Sequence, residues 1–115
     1  MDNRTFVNTS ALAIGGVTLF FAGWALLDAK SLAAKMAVSA EHARRLGYRD
    51  LVSGTLLVTR GDTTAFALRA AADISDAVTM AHSRPMIAAG AAVFAAWSAA
   101  AAFAATRREP LRLER

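Results

Sequence analysis

Two stretches of this chain carry no charged residue for longer than a lipid bilayer is thick. Thr5 to Leu27 is one, 23 residues, and Pro85 to Thr106 is the other, 22 residues. A helix needs about 20 residues, rising 1.5 Å each, to cross the hydrocarbon core, so both are long enough. The first is strongly apolar (Leu12, Ile14, Val17, Leu19, Phe20, Phe21) with Trp24 near its end. Its length, and Asp28 and Lys30 where a small-residue cleavage site would stand, argue against a cleaved signal peptide and for a retained anchor helix. The second is mostly alanine, which favours protein contact over lipid on much of its surface.

Composition narrows the chemistry. Hydrophobic residues make up 56% and charged residues 19% of the 115 residues, more apolar than an ordinary soluble domain of this size. The absence of cysteine excludes disulfides, thiolate metal sites and thiol nucleophiles, and two histidines are too few for a typical zinc site. Neither metal nor cofactor is expected. The net charge of +4 does not point to nucleic acid. Lys30, Lys35, Arg44 and Arg45 follow the first apolar run, and Arg107, Arg108, Arg112 and Arg115 form a tail after the last. Basic residues in those places meet lipid head groups. They are balanced between the two sides, so they set no orientation.

Between the long runs lie two shorter pieces, Leu51 to Thr59 and Thr63 to Leu68, separated by Arg60-Gly61-Asp62. Each reads as a helix. Gly61 suits the left-handed position after a helix end, and Asp62 or Thr63 can cap the next start. A further break is expected near His82, with Ser83 as N-cap and Pro85 in the first turn of the last helix. From Asp28 to Leu46, apolar residues recur at helical spacing (Leu32, Met36, Ala40, Ala43, Leu46). That connector is either an amphipathic helix at the interface or an extension of the second helix into water.

An antiparallel hairpin turning at Gly61 sets Asp50 level with Asp73, Arg49 with Ile74 and Ser53 with Ala70, about 17 Å from the turn. Arg69, Asp73, Asp76 and Met80 share one helical stripe, and Arg45, Arg49, Ser53 and Leu56 another. A lone Arg or Asp at a membrane-helix centre costs about 2.5–3.5 kcal/mol, so Arg69, Asp73 and Asp76 together cost roughly 8–10 kcal/mol. The third helix is therefore tolerable in lipid only if its charges meet Arg49 and Asp50 inside a bundle. Two guanidiniums then face three carboxylates, and the surplus acid can hold a proton. Three readings stay open for such a cluster: a structural network fixing helix register, a ligand or catalytic site, and proton or ion passage. Beside it, Tyr48, Ser53 and Trp24 are candidates for ligand contact. If the site is catalytic, Arg49 orients, Asp73 or Asp50 donates a proton and Asp76 is the base, with Arg69 completing the cluster. Chemistry of that kind hydrolyses or isomerises an epoxide or carbonyl without a cofactor.

The run Arg45-Leu46-Gly47-Tyr48-Arg49-Asp50, followed by Gly54, resembles a group of small bacterial and fungal four-helix membrane proteins known as a domain of unknown function. They share a Gly-x-Arg-Asp element opening the second helix, a glycine a turn later and polar residues in the third. The resemblance covers nearly the whole chain and implies architecture, not activity. Small multidrug exporters, of similar length and helix number, need a glutamate in the first helix, and Thr5 to Leu27 has none.

The expectation is an all-α, four-helix transmembrane bundle in one domain, residues 1–115, with helices at about 5–27, 46–60, 63–82 and 85–106 and a basic tail at 107–115. The alternatives are two transmembrane helices with a central amphipathic hairpin on the surface, and a soluble bundle. The expected protein is a multi-pass membrane protein whose Arg/Asp cluster binds, and as an enzyme would transform, a lipophilic small molecule. An accessory subunit of a larger membrane complex or a proton or ion path are the rival functions, and whether it is an enzyme stays open. Expected partners are the lipid bilayer, a lipophilic small molecule, and another copy or a membrane-complex subunit, but not nucleic acid.

Overall fold

Four of the helices begin where a side-chain oxygen stands ready to accept an orphan amide, the ordinary requirement of a helix start. Asp2 accepts from the Thr5 amide at 2.8 Å, Asp28 from Ser31 at 3.4 Å, Ser39 from His42 at 3.0 Å and Asp62 from Ala65 at 3.0 Å. The fifth begins on Pro85, whose missing N–H costs nothing there. The computed structural model describes residues 2–108. Five helices follow in order: α1 (Asn3–Leu27), α2 (Ala29–Met36), α3 (Ala40–Thr59), α4 (Thr63–Met80) and α5 (Pro85–Arg108), with no strand among the described residues.

The expected all-α bundle is present, with five helices where four were expected. The extra one comes from the connector, which divides at Ala37. Its first half is the separate helix α2, burying Leu32 and Ala33. Its second half extends α3, which starts at Ala40 rather than near residue 46 because Ser39 caps it there. α4 stops at Met80, short of His82. The first bond of α5 runs from Ala88 N–H to the Arg84 carbonyl, so Arg84, not Ser83, stands at its N-terminal boundary. α5 continues through Arg107 and Arg108, so the basic tail begins inside a helix; Arg112 and Arg115 lie outside the described residues.

At the α3–α4 turn Gly61 is left-handed, φ 55°, as the sequence predicts. Its amide closes the turn on Leu56 O, and a Cβ there would lie 3.0 Å from Ala11 Cβ. Burial pushes the Asp62 carboxyl up, but the Ala65 amide and the Arg60 guanidinium, 2.6 Å away, outweigh it and hold the group below the ordinary carboxylate value.

The helices pack as two antiparallel pairs, α1 with α3 and α4 with α5, with α1 also against α5. Glycine makes the first pair possible. A Cβ on Gly15 would come within 2.8 Å of Val58 Cγ2, and one on Gly47 within 2.7 Å of Ala25 Cβ. Gly54 packs the same way, whereas Gly16, Gly23 and Gly90 face open space. Val7, Ile14, Leu57, Phe66, Ala101 and Ala105 form a core in the half of the bundle nearest the α3–α4 turn. At the far end of that core the Trp97 indole donates to Ser10 Oγ at 2.9 Å, so Trp97 ties α5 to α1 instead of standing at a water interface. Among the described residues, α1 and α5 are the helices long and apolar enough to cross a membrane by length and composition.

Candidate functional site

Although joined by a tight turn, α3 and α4 touch each other little. What spans the gap between them is a network of long polar side chains at mid-helix. From α3 come Arg49, Asp50 and Ser53. From α4 come Arg69, Asp73 and Asp76, set four and three residues apart on one face.

Arg49 grips Asp76 with both terminal nitrogens, Nη1 to Oδ1 and Nη2 to Oδ2, each at 2.9 Å. This fork on a carboxylate is the strongest geometry that pair can make. The same guanidinium donates to Asp50 Oδ1 through Nε at 3.1 Å and Nη2 at 2.9 Å. Arg69, only 3% exposed, donates through Nη1 to that same Asp50 oxygen at 2.8 Å and to Ser53 Oγ at 3.0 Å. Its Nη2 donates to Asp73 Oδ1 at 2.9 Å. Asp50 and Asp73, expected at one depth, thus meet on one guanidinium. The helix backbones stay apart because arginine is long enough to reach across.

The commitments within the network are unequal. Both oxygens of Asp76 are taken by Arg49, so Asp76 is not open as a base in this arrangement. Asp50 Oδ1 is shared by both arginines. Asp73, 8% exposed, uses one oxygen; its Oδ2 has no partner, and neither does Arg69 Nε. Three carboxylates face two guanidiniums, leaving one negative charge unmatched within the network.

Beside the network lies a cavity of about 380 Å³, in the half of the bundle away from the α3–α4 turn. The five charged network residues form one wall, and the rest is mostly apolar, with Phe21 and Trp24 of α1, Met36 of α2 and Phe94 of α5, joined by Thr18 and Lys35. Trp24 stacks on Phe21 with ring centroids 6.0 Å apart, and its indole donates to Ser31 Oγ at 3.3 Å. The ring is therefore held in the wall by both α1 and α2.

Of the residues singled out by sequence, Arg49, Asp50, Arg69, Asp73 and Asp76 come together, with Ser53 bonded into the network and Trp24 in the cavity wall. Tyr48 does not join them. It is 62% exposed and absent from the wall, because it falls on the outward stripe of α3 with Val52 and Thr55. Phe21, Met36 and Phe94 carry no sequence signal that separates them from other apolar residues, and only the packing of α2 and α5 brings them here. Among the described residues no group of His, Asp or Glu is disposed to hold a metal ion.

No protein-family model matches this chain, and neither does a curated protein or a solved structure.

Proposed function

We propose that this is a multi-pass membrane protein in which α1, α3, α4 and α5 cross the bilayer and the cavity between them binds a lipophilic small molecule. The observation that carries the reading is the cavity itself, an apolar chamber with a single polar wall. Pockets that take small lipophiles have this character, with a few convergent polar groups fixing orientation.

The charge distribution supports the membrane setting. Outside the network, the charged residues among those described sit at the two ends of the bundle. Asp2, Arg4, Arg60, Asp62 and Arg107 are at one end; Asp28, Lys30, Lys35, Glu41, Arg44, Arg45 and Arg84 are at the other. Between them the outer surface exposes Leu12, Phe20, Val52, Ile74, Val93 and Phe103, which suits lipid and not water.

Purification in mild detergent followed by organic extraction and mass spectrometry tests the proposal. A lipophile is expected at about one per chain, lost when Ala91→Phe fills the cavity wall. A stoichiometric protein partner with no small molecule would instead support the accessory-subunit reading.

A further inference from the structure

The chemical class of that ligand is written in the charge of the wall, an inference that rests on the cavity being a binding site. Arg49 is neutralised by Asp76 through the two-point fork, and Arg69 by Asp50 and Asp73 together. Pairing the charges off leaves one carboxylate over. Free accepting capacity remains on two of the three: Asp50 and Asp73 each receive their bonds on one oxygen alone. A buried charge left unmatched is costly, and the cavity borders both of these residues.

An anionic head group would meet Asp73 with the wrong sign. A neutral one would leave the surplus charge in place. A single positive charge balances the network, three against three. The other walls fit the same ligand. Phe21, Trp24 and Phe94 present aromatic rings, which attract cations as well as hydrocarbon. Lys35 also borders the cavity, but it is exposed, and among the described residues no ion pair joins it to the network. The volume of about 380 Å³ falls within the ordinary range of small-molecule sites, about 300–1,000 Å³.

We propose that the cavity binds a lipophilic monocation, an amine with a hydrocarbon body, whose charged nitrogen sits against the Asp50–Asp73 side of the wall. In its absence a proton is the other counter-charge that can meet the surplus, with Arg49 and Arg69 beside it and Lys35 at the rim. The amine cation and this proton therefore compete, and binding one releases the other.

Three probes with a common tail test this: decylamine, decanol and decanoate, offered to the full chain in lipid nanodiscs. The readouts are Trp24 fluorescence, with Trp24→Phe as the blank, and proton release in weak buffer. Decylamine is expected to bind at least about tenfold more tightly than either other probe, to release about one proton, and to lose about tenfold in affinity in Asp73→Asn. Decanol binding as well as decylamine, or decylamine binding with no proton released, would overturn the ligand class while leaving the cavity a binding site. Failure of all three to bind overturns both. The comparison among probes on the unaltered chain decides the matter even if Asp73→Asn does not fold.

Discussion

At Asp50 a single oxygen accepts from both Arg49 and Arg69, tying together two guanidiniums that Asp76 and Asp73 also hold. Removing it leaves the charges balanced, two against two, but takes away three charge-assisted bonds, and Asp50→Ala is expected to lose about 1.5–3 kcal/mol. Asp73→Asn is the contrasting case. The amide oxygen still accepts from Arg69, and the unmatched charge disappears, so the loss should be about 1 kcal/mol or less. Unfolding in detergent followed by circular dichroism separates the two; equal losses would mean that the carboxylates share the load evenly. Asp62, at the exposed turn, carries a pH signature of its own. Its carboxyl titrates lower in the folded chain than in the unfolded one, so its stabilisation is complete above the unfolded value of about 4 and fades as pH falls through the folded one. Asp62→Asn should therefore lower the unfolding temperature near pH 6 and leave it little changed at pH 2. Both cap and turn were legible at this scale, since Gly-Asp ahead of an apolar run has a local meaning. The exposure of Tyr48 was not, because it depends on which side of α3 the neighbours occupy.

Among the elements, α2 depends on an unusual hinge. Ala37 closes it in the left-handed conformation, φ 57°, with its amide bonded to Ala33 O. A Cβ in that region costs roughly 1–2 kcal/mol, while glycine loses about 0.4–1 kcal/mol more entropy on folding. Ala37→Gly should thus stabilise the protein by about 0.5–1 kcal/mol, read as a higher unfolding temperature. The α1–α3 contact behaves in the opposite way. Gly15 has no room for a side chain against Val58, so Gly15→Val should cost about 1–3 kcal/mol, or more if the helices are forced apart. Retained stability would show that the pair has slack. Sequence spacing exposed α1 and α5 plainly and placed α3 and α4 around the right turn. It left the connector as two alternatives, and the chain divides it into a separate helix and an extension of α3: apolar spacing continues smoothly across residues 37–39, while the break there comes from backbone conformation and a serine cap.

For the whole molecule, the path of the chain makes a testable topology. α1, α3, α4 and α5 alternate in direction, so Arg4, Arg60 and Arg107 share one end, bridged by Asn3 to Ala104 O at 2.8 Å and Thr63 to Thr106 at 3.2 Å. The other end holds Lys35 and Arg84, whose Nε donates to Lys35 O at 2.9 Å. The chain has no cysteine, which makes it a clean background for labelling. Single cysteines at Arg4→Cys and Arg60→Cys should react from one face of sealed vesicles and His82→Cys from the other. Arg60→Cys and His82→Cys labelled from the same face would replace four crossings by two, with the α3–α4 hairpin on the surface.

The amino-acid sequence by itself determined the helices, the turn at Gly61 and the meeting of Asp50 with Asp73 near one depth, because helical rise and periodicity convert residue number directly into height and facing. The cavity had to wait for the fold. Its walls come from all five helices, and its existence depends on α3 and α4 standing apart while glycine draws α1 onto α3. No local pattern encodes a distance between two helices. That distance is settled only when every side chain between them has been packed.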